Sequence, residues 1–279
     1  MAMARWAIGL VAAMMALGLG HGARAADPDP TSLHALTSGD DSRGWEAVGR
    51  LNIGNRGFCT ATLIENDLVL TAAHCLFDKA TGKRINPAEI HFLAGWRNGR
   101  AAAYRGVRRD VVHPDYVFSD SGQVDRVEYD LALLQLDQPI RLPSITPFAT
   151  FEGPSVGHEV GVVSYARDRA DVPSLQEVCP VLGQQNGILV MGCSVDFGSS
   201  GAPVFTMEGG APRIVSVVSA KAEMQGRNVA LGVGLQHRLS VLRSALRQGD
   251  GVFFRPPPKV KLLSNSEARK NIGAKFVRP

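Results

Sequence analysis

Residues 58–75 read Phe58-Cys59-Thr60-Ala61-Thr62-Leu63-Ile64, then Glu65-Asn66-Asp67, then Leu68-Val69-Leu70-Thr71-Ala72-Ala73-His74-Cys75. Two short apolar runs with β-branched residues flank a polar triplet, which is the pattern of two strands separated by a turn. The second run delivers His74 to a strand end, where an imidazole can take up a proton near neutral pH and the adjoining Cys75 can fix the loop.

The same texture extends in both directions. AVGRLNI precedes this stretch, and IHFLAG, VRRDVV, LALLQL, VGVVSYA, GILVMG, PVFTM, RIVSVVSA and VALGVGL follow it, punctuated by Asn, Asp, Gly and Pro. Many short strands with few helical patterns predict an all-β fold of antiparallel barrels or sandwiches, since closure or stacking is how such strands bury their apolar faces. One helix is expected near the end, in SVLRSALRQG, with Val241, Leu242, Ala245 and Leu246 on one face and Gly249 as its stop. The 279 residues are 45% hydrophobic and 20% charged, which excludes disorder as the dominant state; 30 Gly and 16 Pro argue against a helical bundle or coiled coil.

The formal net charge of +4 is misleading until it is localised. Residues 250–279 carry a net +5 and the first 25 residues +2, leaving −3 for residues 26–249, so nucleic acid is not an expected partner. Arg5, the apolar run Trp6 to Gly20 and the triplet Ala23-Arg24-Ala25 read as a secretory signal peptide over residues 1–25, too short to span a membrane. Residues 26–44 are polar and rich in Asp, Pro and Ser, and are expected to be an exposed leader or short propeptide. At the other end, residues 249–279 contain FFRPPPKVKLL and a basic polar stretch. They are expected to form a flexible tail, for which an anionic surface is the candidate partner.

Cys59, Cys75, Cys179 and Cys193 suit an oxidising compartment. Three pairings exist; sequence proximity favours Cys59 with Cys75 and Cys179 with Cys193, each closing a loop of about 15 residues. No pair has Cys-x-x-Cys spacing, so no metal is expected, and without a phosphate-cradling glycine loop no cofactor is implied.

Two further motifs carry chemistry. Asp130 leads directly into the apolar run Leu131 to Leu136, where a partly buried carboxylate needs a partner; an imidazole would satisfy it and be oriented by it. In Asp196-Phe197-Gly198-Ser199-Ser200-Gly201-Ala202-Pro203, glycines around a serine permit a tight turn in which successive amides point at one oxyanion. His21, His34, His91, His113, His158 and His237 have no context comparable to that of His74.

With base, acid and nucleophile in this order, the sequence resembles the trypsin-like (chymotrypsin-fold) serine peptidases over roughly residues 45–248. TAAHC resembles their histidine motif, DLALLQL their aspartate motif and GSSGAP their Gly-Asp-Ser-Gly-Gly-Pro motif. The resemblance implies two antiparallel six-stranded β-barrels, at about 45–145 and 155–235, with the active site between them. It also implies a carboxy-terminal helix, at about 238–248, packed on the second barrel. Ser200 would be the nucleophile, His74 the base and Asp130 its orienting acid, while the N–H groups of Gly198 and Ser200 would form the oxyanion hole. Cys59 and Cys75 match the family's disulfide beside the histidine, and Ser219 matches a serine near the aspartate.

Where many animal members carry an aspartate before the nucleophile, this chain has Ser199, and it has no Ile-Val-Gly-Gly terminus. That likens it to the compact bacterial branch that includes glutamyl endopeptidases. The register places Ser194 at the base of the primary specificity pocket and Lys221 at its entrance, with Val218 where glutamate-specific members place a histidine. Uncharged or acidic residues are therefore expected before the scissile bond. An exported serine endopeptidase is the leading expectation; an esterase with the same triad, or a catalytically silent binding protein on this fold, are the alternatives.

Overall fold

The structure, a computed structural model, describes residue 29 and residues 31–119, 127–153 and 156–257. The expected signal peptide and the tail beyond residue 257 lie outside the described residues.

In the first sheet, β2 (Val48–Ile53), β3 (Phe58–Glu65), β4 (Leu68–Thr71), β5 (Ile90–Ala94), β6 (Ala103–Val112) and β7 (Ala132–Leu136) pair in the order β5-β2-β3-β4-β7-β6, and β6 pairs again with β5. The ring closes because β6 is long enough to use residues 103–106 against β5 and residues 107–112 against β7, with a register shift between Val107 and Arg109 in the second pairing. Leu51, Leu63, Leu70, Phe92, Val107, Leu133 and Leu134 of these strands are all fully buried, some inside the ring and some on the face it packs with. The expected hairpin pairs Thr62 with Leu70 and Leu63 with Val69.

The second sheet contains β8 (Glu159–Ala166), β9 (Arg169–Gln185), β10 (Ile188–Met191), β11 (Pro203–Glu208), β12 (Ala211–Met224) and β13 (Arg227–Gly234). They run β9-β10-β13-β12-β11-β8, and β8 returns to β9. The contact that completes this ring is short: β11 meets β8 only at Val204 with Val162 and Phe205 with Gly161. A Cβ at Gly161 would press on the Gln176 and Glu177 carbonyls of β9, so glycine allows the close approach here.

Both disulfides form as proximity suggests, Cys59 with Cys75 and Cys179 with Cys193. The α-helix α1 (Gln236–Gln248) ends at Gly249 with φ 86°, a left-handed cap. Its expected position on the second barrel is corrected: α1 packs on β6 and β7 of the first barrel, burying Leu239, Leu242, Ala245 and Leu246. Arg243 pairs with Glu65 of β3, so α1, the last helix among the described residues, clasps the first barrel.

Three elements were not expected. Seventeen-residue β9 contains Pro173 and Pro180, which hide a strand pattern; Pro173 falls in a register irregularity, and Pro180 pairs with Glu159 at the start of β8. The leader, expected to be exposed, supplies β1 (His34–Ala35), which pairs with Leu175 and Ser174 of β9, and Leu36 beside it is 1% exposed. The start of the tail, expected to be flexible, supplies β14 (Phe253–Phe254), which pairs with Asp110 and Arg109 of β6. Among the described residues no helix is long and apolar enough to cross a membrane.

Candidate active site

β4 ends at Thr71 and the chain tightens into a 3-10 turn, Ala73–Leu76, that presents His74. The Cys59–Cys75 disulfide ties this turn to β3. Asp130 stands immediately before the β7 run and is 2% exposed. His74 Nδ1 lies 2.6 Å from Asp130 Oδ2, and the His74 backbone N–H donates to Asp130 Oδ1 at 2.8 Å. Ser219, on β12 of the second barrel, donates its hydroxyl to the same Oδ2. Three donors thus satisfy a carboxylate removed from water, with Nδ1–H as the donor of the ring, and the Nδ1 contact orients the imidazole.

The loop 196–203 is shaped by two glycines with positive φ, Gly198 at 101° and Gly201 at 81°. A Cβ at Gly201 would collide with Thr71 Oγ1 and the Thr60 carbonyl, so the loop can lie against the first barrel only without one. Thr60 of β3 holds it there: its N–H donates to the Ser200 carbonyl at 2.8 Å and its Oγ1 to the Gly198 carbonyl at 2.9 Å. Within the loop, the Ser199, Gly201 and Ala202 N–H groups donate to Asp196, Val218 and Ser199 carbonyls. Among the described residues no acceptor is found for the Gly198 and Ser200 N–H groups, two donors separated by one residue.

The adjacent serines differ completely in environment. Ser199 is fully buried; its hydroxyl donates to the Tyr165 carbonyl at 3.2 Å and receives the Arg169 guanidinium at 3.3 Å. Burial lowers the pKa of Arg169, with Asp168 and Asp196 opposing. Ser200 is partly exposed and lines two cavities, of about 380 and 350 Å³, together with His74. No hydrogen bond joins Ser200 to His74 among the described residues.

Phe58, Phe77, Arg167 and Phe197 border the larger cavity, where Arg167 lies over the Phe197 ring at 4.8 Å. Asp130, Val195, Asp196, Val218, Ser219 and Lys221 border the other. Ser194 is exposed and lines a third cavity of about 270 Å³, which shares Val195, Asp196 and Lys221 with the second. Thus Lys221 stands beside Ser200's cavity and Ser194 one cavity away, while Asp196 borders both. Cys59, His74 and Cys75 come close together, but their sulfurs are bonded to each other and offer no thiolate to a metal.

Thr60 and Arg169 were not foreseen as parts of this region. Thr60 occupies an ordinary strand position and Arg169 an ordinary hairpin, and nothing in their neighbours marks either. The family model described as Trypsin matches residues 37–236, most of the chain and all of the site. The chain belongs to the trypsin family. Within that family it is similar to venom serine protease 34 of Apis mellifera, 29% identical over 114 residues, covering 38% of this chain and 27% of that protein. It is also similar to a glutamyl endopeptidase of Bacillus licheniformis, 25% identical over 150 residues, covering 53% of this chain and 45% of the relative. The chain therefore spans less than half the length of these curated relatives. A solved structure of a Glu endopeptidase in complex with MPD shares the fold, with a TM-score of 0.64 at 16% identity, covering 77% of this chain and 97% of that one. The trypsin-family chymotrypsin fold is thus established for this chain.

Proposed function

We propose that this trypsin-family chain is an exported serine endopeptidase acting through an acyl-enzyme on Ser200. The observation that carries the reading is the His74 Nδ1 to Asp130 bond of 2.6 Å at the border of the two cavities that His74 and Ser200 both line. Ser200 Oγ forms a bond to the scissile carbonyl carbon as its proton passes to His74 Nε2. The carbonyl oxygen becomes an oxyanion facing the unused N–H groups of Gly198 and Ser200. Collapse breaks the C–N bond while His74 returns the proton to the leaving amine; water then repeats the sequence to free the acid and Ser200. Asp130 stabilises the imidazolium, and Ser219 holds the carboxylate in place.

Export is supported by the amino-terminal pattern and by two disulfides, which persist outside reducing compartments. For substrate, the Lys221 ammonium and the Asp196 carboxylate border one cavity, and Asp196 Oδ1 is already engaged by the Phe197 N–H at 2.8 Å. Uncharged or acidic residues before the scissile bond fit this balance better than Lys or Arg. The sequence beyond residue 257 is basic, and Arg108 and Arg255 are exposed near the end of the described chain, which supports contact of the tail with an anionic surface.

The test is reaction of the purified chain with a fluorophosphonate probe, followed by peptide mapping and a cleavage profile on a peptide library. The label is expected on Ser200, with loss of labelling in His74→Ala. Labelling elsewhere, or a profile dominated by Lys and Arg before the cut, would contradict the reading.

A further inference from the structure

Gln176, on β9, is 5% exposed and uses both ends of its amide. Its Oε1 accepts the Ser194 backbone N–H at 2.8 Å, and its Nε2 donates to the Thr31 carbonyl at 2.9 Å. An acceptor at one end and a donor at the other match these partners in one orientation only. The two bonds join segments far apart in sequence. Ser194 begins the stretch 194–196 that separates the second and third cavities, four residues before the unused Gly198 N–H. Thr31 belongs to the leader, which is docked by the β1 to β9 pairing, by the Leu36 N–H on the Pro173 carbonyl at 2.9 Å and by burial of Leu36. Leu33, between Thr31 and Leu36, itself lines the third cavity together with Lys221.

We propose that Gln176 is a positioning residue for the specificity region, and that the leader from Thr31 to Leu36 is a permanent wall of it. This rests on the peptidase reading. It follows that processing which yields the active chain cuts before Thr31. Without the leader carbonyl, the Nε2 end of Gln176 loses the acceptor that holds the amide in place, and the Ser194 N–H loses a fixed partner. The wall 194–196 then loosens, and discrimination between side chains entering beside it weakens, while Ser200 and its base, held by Thr60 and Asp130, stay assembled.

The experiment compares the full chain with Gln176→Met, Leu36→Ala and the double variant. The measurements are kcat/KM for a preferred peptide against the same peptide with Gly before the cut, the fluorophosphonate labelling rate at Ser200, and hydrogen exchange of the Ser194 amide. Each single variant should reduce the preference about tenfold, through KM, with labelling changed no more than about twofold; the double should lose little more, since both break one connection. Exchange at Ser194 should accelerate in all three. Preference unchanged in Gln176→Met, preference and labelling falling together, or additive losses would each overturn the proposal. Were the parent chain inert to the probe, the peptidase reading would fail, and exchange at Ser194 would still decide whether leader and wall are coupled.

Discussion

Ser219 and His74, one from each barrel, share a single oxygen of Asp130: the Ser219 hydroxyl and His74 Nδ1 both point at Oδ2. The acid is thereby fixed across the interface, so correct docking of the two barrels and orientation of the base become one event. Asp130→Asn should leave the fold intact and lower kcat by about 10⁴, since an amide imposes the wrong tautomer. Ser219→Ala, which removes one of three donors, should lower kcat by only about tenfold. A Ser219→Ala enzyme as impaired as Asp130→Asn would show that Ser219 does more than hold the carboxylate; steady-state kinetics at fixed pH decide it.

The two serines of the loop should separate cleanly. Ser200→Ala is expected to abolish turnover and probe labelling with an unchanged melting temperature. Ser199→Ala should retain activity but lose about 1–3 kcal/mol of stability, because a buried hydroxyl that meets Arg169, Ser164 and the Tyr165 carbonyl disappears. Paired thermal melts and active-site titrations check both; full activity in Ser200→Ala would move the nucleophile elsewhere.

What could be read from the residues alone follows from how local the signals are. His74, Asp130 and the 196–203 loop each sit in a short motif whose neighbours dictate the geometry: a strand end, an apolar strand start, two glycines. The alternating runs likewise announced most barrel strands. By contrast β1 and β14 have two residues each, too few for any period, and exist because β9 and β6 offer free edges. β9 was concealed by its prolines. The burial of Ser199 and the double engagement of Gln176 depend on partners as much as 145 residues away, which no local pattern encodes.

The β14 strap changes what truncation should do. Phe253 pairs in register with Asp110, which is fully buried, and its ring lies 5.6 Å from the guanidinium of Arg84, the ion-pair partner of Asp110. Burial already pulls the Arg84 pKa down to about 10. Ending the chain after Gly251 removes this cover and should lower the urea midpoint, whereas ending it after Pro257 should not. Phe253→Ala should reproduce about 1 kcal/mol of the loss. Arg84 also lies 5.3 Å from the Phe77 ring, at the border of the larger cavity, so a modest rise in KM should accompany it. Equal stability of the two truncations would show that β14 contributes nothing.

Acid sensitivity should trace to His113. Its ring is 1% exposed and stacks on Tyr129 at 4.9 Å, and its backbone N–H donates to the Leu131 carbonyl at 3.0 Å, next to Asp130. Burial lowers its pKa from 6.5; Asp115 opposes this, while Arg238 and His237 reinforce it. A histidine whose folded pKa lies below its unfolded value binds more protons unfolded, so its contribution is complete above the unfolded pKa of about 6.5 and is lost as pH falls towards the folded pKa. Stability should therefore decline below about pH 6.5, and with it the placement of Asp130. His113→Gln should be less stable than the parent at pH 8, having lost the Tyr129 stack, yet should lose less between pH 7 and pH 5. Urea unfolding across that range measures both slopes; identical slopes would show that the acid response arises from another group.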